Sequence, residues 1–324
     1  MQARDWRDAD DAVVANLYAG ERARWHDTLS WDTSAMWSVV EAGRRAGTVV
    51  GAIARDVHDA PAGWCFALLQ DGTLQVGGFL ANSTEATAAL LETLAASADG
   101  RAARRWLWFG YFDAPGLDQA LAARGTLARY VYLHCRLAAC GGPEPGPGAA
   151  RLVRSWRASD VRRVPALLAS AYAHDSLSRP FAPSGSIDEW CEYAALLVGS
   201  AGCGVFEPGL SLVAETRADH LDAAAVITRI TPDTAHLAQL AVRADAQAAG
   251  LGRTLLQVAK TRARAAGCTQ LTLLVHEQNQ RARRLYAQAG FEEGATFLSS
   301  AWDVDQPRTF KSDALATGGV NTRR

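Results

Sequence analysis

The chain has 324 residues, 49% of them hydrophobic and 21% charged, with a formal net charge of -1. That length is generous for one core and comfortable for two, and the composition excludes wholesale disorder. The near-zero charge removes any global attraction to nucleic acid or an anionic membrane, and no apolar window is long enough to span a bilayer.

The first residues, MQARDWRDADD, are charged and lack the apolar core of a secretory leader, which points to a cytoplasmic protein. Cys65, Cys135, Cys140, Cys191, Cys203 and Cys268 are scattered without the short paired spacings that zinc or a redox dithiol needs. They read as free thiols of a reducing compartment, and no metal is expected. Seven of the ten tryptophans precede residue 110, a bias that core and interface packing explains most simply. The alternative is that Trp25, Trp31 and Trp37, in the polar stretch ERARWHDTLSWDTSAMWSVV, wall a groove for an acceptor molecule. LLETLAA (90–96) and RWLWFGYF (105–112) then carry apolar framework patterns, and LAACGGPEPGPGAA (137–150) crowds proline and glycine into a linker.

Beyond the linker the sequence repeats itself. Arg154, Trp156, Arg157 and Asp160 follow Arg4, Trp6, Arg7 and Asp10 at an offset of 150, while QLTLLVH (270–276) and YAQAG (286–290) follow RWLWFGYF and LAARG (121–125) at 165. The chain is an internal duplication whose second half has gained about 15 residues, with HDSLSRPFAPSGSIDEW (174–190) as the inserted loop. Patterning in the second half predicts a strand near 152–157 and a helix from an Asp160 N-cap to about 173, then a helix near 187–200. Strands follow at 210–216, 223–230 and 236–243, a helix at 250–266, a strand at 270–276, a helix at 279–289 and a last strand at 295–302. These boundaries divide the chain into a domain over 1–137, a Gly/Pro linker over 138–150, a domain over 151–303 and a polar tail over 304–324.

Two stretches carry chemistry. In LAQLAVRADAQAAGLGRTLLQVAK (237–260) an apolar strand runs into a small-residue loop, and a helix starts directly after it. Gln247, Gly250 and Gly252 sit where the first-turn amides have no partners and where missing β-carbons let an anion approach the backbone. The pattern is no dinucleotide fingerprint, because Leu255 stands where a third glycine would be, and no P-loop, because no Gly-Lys-Ser/Thr follows. One strand later, NQRARRLYAQAGF (279–291) reads as an amphipathic helix capped by Asn279 and ended by Gly290, with Ala282, Leu285 and Ala289 on one face.

In this order and at this distance, the two stretches resemble the GCN5-related N-acetyltransferases (GNAT), over roughly residues 150–303, with 1–137 as a degenerate copy. The resemblance implies an α/β (α+β) fold of two tandem GNAT-like domains, each a mixed, mostly antiparallel sheet flanked by helices. It implies that Gln247, Ala248, Ala249, Gly250, Leu251, Gly252, Arg253 and Thr254 hold the coenzyme A pyrophosphate and that Leu240, Ala241 and Val242 pair with the pantetheine arm. Asn279, Ala282 and Arg284 then contact the cofactor, and Tyr286 lies near the thioester sulfur as the acid for the departing thiolate. A phenol with a pKa of about 10 suits that role as donor to a thiolate of slightly lower pKa, and the reaction needs no metal and no covalent enzyme intermediate.

The acceptor's base is less legible. His236 and Gln239 on the strand before the loop, and Glu215 at a strand end, are the candidates, followed by His174 and Asp175 in the inserted loop. Arg253, Lys260, Arg281, Arg283 and Arg284 are within sequence reach of a 3′-phosphate, although a solvated helix face explains them equally well. A constant offset of 165 sets Asn82, Glu85 and Thr87 opposite Gln247, Gly250 and Gly252, and Ala114 and Leu121 opposite Asn279 and Tyr286, so the first half is expected to be catalytically silent. The expected activity is N-acetyl transfer from acetyl-CoA to a primary amine of a small molecule or peptide. The alternatives are transfer of a longer acyl chain from acyl-CoA or an acyl carrier protein, and a non-catalytic coenzyme A sensor or scaffold.

Overall fold

The computed structural model describes residues 1–110, 112, 114–138, 153–173, 181–182, 184–199, 204–216 and 220–304. The linker beyond residue 138, the tail beyond residue 304, and His174 and Asp175 lie outside that set.

The first half runs β1 (Gln2–Asp5), α1 (Asp11–Leu29), α2 (Ser34–Ala46), β2 (Val50–Arg55), β3 (Pro61–Gln70), β4 (Thr73–Ala81), α3 (Thr84–Ala96), α4 (Ala98–Ala102), β5 (Arg105–Gly110), α5 (Leu117–Ala122) and β6 (Thr126–Arg136). The second runs β7 (Val153–Ser155), α6 (Val164–Ala171), α7 (Ile187–Gly199), β8 (Val205–Phe206), β9 (Leu212–Ala214), β10 (Ala223–Thr231), β11 (Thr234–Val242), α8 (Leu251–Ala265), β12 (Gln270–His276), α9 (Gln280–Gln288) and β13 (Glu292–Asp303). Local chemistry sets these limits. Asp10 accepts from the Ala12 amide at 2.7 Å to start α1, Gly47 ends α2 at φ 74°, and the Asn279 side chain caps α9 by accepting from the Ala282 amide at 3.0 Å.

The expected Asp160 N-cap is displaced. Asp160 is buried, bonded to Arg154 and to the Arg157 amide inside a short 3-10 turn, and α6 begins only at Val164, with Pro165 in its first turn. The cysteines also depart from expectation. Cys135 is disulfide-bonded, whereas Cys65, Cys191 and Cys268 are free.

Among the described residues, the strands join one 13-stranded sheet in the order β1-β2-β3-β4-β5-β13-β6-β12-β11-β10-β9-β7, with β8 beside β10. Neighbours are antiparallel except β4 with β5 and β11 with β12. The two halves exchange their last strands. β13 pairs with β5 from Leu298 opposite Gly110 to Asp303 opposite Arg105, and β6 pairs with β12 from Arg136 opposite Gln270 to Tyr130 opposite His276. The exchanged strands pair with each other along the middle of the sheet. Val131, Leu133, Cys135 and Leu137 therefore lie in the apolar core beneath α8, and Leu298 lies in the first half's core.

Trp25 and Trp31 pack with Tyr130, Tyr132 and Phe297 where the halves meet, and Trp37 packs with Trp6, Trp64 and Phe66. All three are buried, so packing accounts for them and the acceptor-groove alternative falls.

Candidate active site

β11 and β12 run parallel only from Thr234 opposite Gln270 to Leu237 opposite Leu273. A β-bulge intervenes at Ala238, because Val226 pairs with Gln239 while Ile227 pairs with Leu237. The bulge bends β11 away, and β12 continues against β6 alone. From Gln239 to Val242, β11 is paired on its β10 side only, which leaves a row of backbone donors and acceptors facing a wedge-shaped cleft.

At the end of that row the chain makes an eight-residue connection, Arg243–Gly250, before α8. Ala248 (φ 66°) and Gly250 (φ 80°) both adopt the left-handed conformation, which turns successive amides to one side. Among the described residues, the amides from Ala248 to Arg253 meet no protein acceptor. A Cβ on Gly250 would find no heavy atom within 4 Å, so the space before these amides is open. Gly252 is different, since a Cβ there would make ordinary contact with Val242 at 3.5 Å and Leu285 at 3.8 Å.

Surrounding side chains brace the loop. Gln247 donates to the Val242 carbonyl at 3.2 Å and accepts from Arg281, Thr254 bonds back to the Gly250 carbonyl at 3.2 Å, and Arg253 reaches Gln288 at 2.6 Å. Arg283 is drawn off to Glu293 and to the Glu277 carbonyl. Lys260 is no phosphate ligand: it is buried and donates to the Ala289 carbonyl at 2.6 Å, where it caps α9.

Tyr286, on α9, is buried. Burial, with a further push from Tyr172, raises its phenol well above the ordinary range, so it stays protonated at any working pH. Gln239 stands directly after the bulge, and its amide is held from both ends, donating to the Tyr172 hydroxyl and accepting from the Tyr193 hydroxyl at 2.9 Å. Tyr172 stacks on Trp190 with ring centres 5.5 Å apart. Tyr172 is thus bonded to Gln239 and close enough to Tyr286 to act on its phenol. Tyr172 and Tyr193 had no motif to announce them: one follows the last turn of α6, the other lies within α7, and only the fold brings them over β11.

The other two candidate bases do not join this group. His236 is buried beneath the halves' junction, with Nδ1 2.9 Å from Thr272 Oγ1 and the Trp31 ring edge-on at 5.8 Å. Burial pushes its imidazole down to about 4. Glu215 is held by Arg154 and Arg163 in a cluster built on Asp160, and its hydrogen bond from Arg154 keeps the carboxyl below the usual range.

The first half keeps the frame and loses the cradle. Val76 opposite Trp108 ends its parallel pairing just as Leu237 opposite Leu273 does, and the bulge recurs at Gly77. These registers place Ala81 opposite Val242, and they correct the pairing of Asn82, Glu85 and Thr87 with Gln247, Gly250 and Gly252. The first half spends two residues, Asn82 and Ser83, where the second spends eight, so Glu85 and Thr87 already lie inside α3. Ser83 caps the Ala86 amide at 3.2 Å, and Glu85 accepts from its own amide and from Ser83. Gly78 stands in the place of Gln239, and a Cβ on it would lie 2.4 Å from the Phe66 ring. Ala114 and Leu121, in the places of Asn279 and Tyr286, are buried and apolar.

Residues 173–291 match the acetyltransferase (GNAT) family. This part of the chain is a GNAT domain. Solved structures extend the fold to both halves. A GCN5-related N-acetyltransferase from Sphaerobacter thermophilus is 17% identical, with 78% of this chain and 80% of that one covered and a TM-score of 0.54. A GNAT-family acetyltransferase from Colwellia psychrerythraea is 13% identical, with 94% and 100% covered and a TM-score of 0.50. The GCN5-related glucosamine N-acetyltransferase region of a fungal multi-domain GH3 β-N-acetylglucosaminidase is 13% identical at a TM-score of 0.56, and the chain spans 38% of that protein's length. No curated protein matches the chain. At such identities the structures speak for the fold, while the GNAT domain supports acyl transfer as the general function. Among the described residues, no helix is long and apolar enough to cross a membrane.

Proposed function

We propose that the second half transfers an acetyl group from acetyl-CoA to a primary amine. The carrying observation is the row of unpaired amides from Ala248 to Arg253, set at the mouth of the cleft that β11 and β12 open. The cleft fits the cofactor in three respects: a cradle of peptide N–H groups for a pyrophosphate, an unpaired β11 edge at Leu240, Ala241 and Val242 for an extended amide chain, and a buried phenol at the inner end. When bound, acetyl-CoA supplies the thioester carbonyl that an amine attacks.

The chain's own residues do the rest. Gln247 and Thr254 hold the loop in shape, and Gly250 leaves it uncovered. The Asn279 carbonyl oxygen is spent on capping α9, which leaves its amide as donor, and Ala282 and Arg284 follow on the same first turns. Tyr286 keeps its proton until a thiolate forms beside it. Burial raises the proton affinity of phenol and thiolate alike, so the transfer is not made uphill by the apolar surroundings. Gln239, clamped between Tyr172 and Tyr193, closes the floor past the bulge, which favours an acetyl group over a long acyl chain. His236 is neutral and enclosed, and Glu215 is neutralised by two arginines, so neither is assigned as base.

The test is kinetic. Tyr286→Phe is expected to lower turnover with coenzyme A binding retained, and Gly250→Glu is expected to remove binding. Unchanged rates in both variants overturn the assignment.

A further inference from the structure

A cavity of ≈ 650 Å³ opens in the first half, between α1 and the paired ends of β3 and β4. Its size falls among small-molecule sites, typically about 300–1,000 Å³. Arg24 and Thr28 reach it from α1, Asn82 from the end of β4, and Trp64, Leu80 and Phe112 form apolar walls. The matching strand positions in the second half, Ala224 and Ala241, are instead buried in a cluster with Leu167, Trp190 and Ala194.

Among the described residues that line this cavity, Arg24 carries the one charge. The Arg24 guanidinium lies 5.0 Å over the Phe112 ring and makes no ion pair among the described residues. Glu21, one turn earlier, points instead into an adjoining recess lined by Gly77, Gly78, Trp108 and Phe112. That recess has room for ≈ 10 Å³, about one water-sized group. Burial outweighs the pull of Arg24 and raises the Glu21 carboxyl above its ordinary value. Thr28 and Asn82 have no side-chain hydrogen bond among the described residues, and both are exposed at the rim.

We propose that this cavity binds a small organic anion, a carboxylate or a phosphate monoester on an aromatic or branched aliphatic body. Arg24 holds the anion with the Thr28 hydroxyl and the Asn82 amide, while Trp64 and Phe112 cover the body. Coenzyme A is a poor fit, because the two-residue turn before α3 is already capped by Ser83. An ammonium is disfavoured because Arg24 repels it and Glu21 faces elsewhere.

Calorimetric titration of the full chain with phenylacetate, phenyl phosphate and neutral phenylacetamide tests this. Both anions are expected to bind at one site, and the amide about tenfold more weakly or worse. The order of the two anions tells carboxylate from phosphate. Arg24→Gln is expected to weaken both anions about tenfold. Asn82→Asp does the same from an exposed position with little bearing on folding. Excess coenzyme A leaves the probes bound; displacement places them in the second half's cradle and overturns the proposal. Equal affinity for the amide, no effect of either substitution, or no binding up to ~10 mM, well beyond the millimolar affinity of a weak site, overturns it too.

Discussion

Two strand-to-helix junctions, built on one frame, have taken different courses. In the second half eight residues, Arg243–Gly250, leave β11 and present bare amides; in the first half Asn82 and Ser83 turn directly into a self-capped helix. The parallel pairing, its early end and the bulge are the same on both sides. Cleft and cradle are therefore separable: strand geometry opens a cleft by itself, and the run of bare amides, which the proposed function assigns to the diphosphate, comes only with the longer connection. The first half's different opening, beside Arg24, shows that a copy relieved of the cradle is not thereby sealed.

Parting the two halves is expected to cost the most. Without β6, the second half loses Val131, Leu133, Cys135 and Leu137 from its core and the partner of β12. Burial of about 1.5–3 kcal/mol per apolar side chain puts that loss on the order of a domain's whole stability. Residues 151–324 expressed alone are expected to lack a cooperative thermal transition in calorimetry. A sharp transition and a native-like near-ultraviolet spectrum from that fragment would show the exchange to be dispensable.

Next in size are the two active-site substitutions. Gly250→Glu gives the cradle a side chain in a left-handed position, costing roughly 1–2 kcal/mol of backbone strain, and sets a carboxylate where phosphate should sit. Coenzyme A affinity is expected to fall at least about a hundredfold, close to 3 kcal/mol, by calorimetry. Gly250→Ala, with open space for its methyl group, keeps only the strain and loses about tenfold. Tyr286→Phe removes a proton donor and is expected to cut kcat by roughly 10²–10⁴ with KM for acetyl-CoA nearly unchanged. An equal loss in kcat and in affinity would mean that the phenol supports the fold and not the reaction.

Much of this was legible in the chain. Gln247 to Gly252 and Asn279 to Gly290 announce a cradle and a capped helix because turn chemistry is local: glycine's left-handed freedom and an asparagine cap act over a few residues. The duplication was legible from Arg4, Trp6, Arg7 and Asp10. The strand exchange was not, since β6 and β13 carry the same apolar alternation and either could lie beside β5. The burial of His236 also escaped, because Trp31 comes from the other half. A single offset of 165 misled at Asn82, Glu85 and Thr87, since residue types cannot show that a loop has lost length between two conserved elements of framework.

His236, enclosed where the two halves meet, makes the fold sensitive to acid. Its imidazole falls to about 4 in the folded chain against 6.5 for the ordinary side chain, so the unfolded chain binds the extra proton between those values. Stability from keeping it neutral is complete above the ordinary value and is lost as pH falls from about 6.5 toward 4, by up to about 3 kcal/mol. Urea unfolding at successive pH values is expected to show this slope in the native chain and a shallower one in His236→Asn. Identical slopes would place the acid sensitivity elsewhere.

The smallest expected effect is the one that tests the floor of the cleft. Gly78 in the first half and Gln239 in the second occupy one position after the bulge, and the Phe66 ring fills the space that Tyr172 and Tyr193 tie off beside Gln239. Gln239→Gly removes the amide that both tyrosines hold, with no ring to take its place. A small void past the bulge should then admit additional methylenes. The ratio of kcat/KM for octanoyl-CoA over acetyl-CoA is expected to rise about tenfold, the scale on which a pocket reads a methylene or two. The outcome is informative in both directions. If the ratio holds while both rates fall, Gln239 shapes the strand and not the acyl pocket; if octanoyl-CoA is already the better donor for the native chain, the clamp does not bound the acyl group at all.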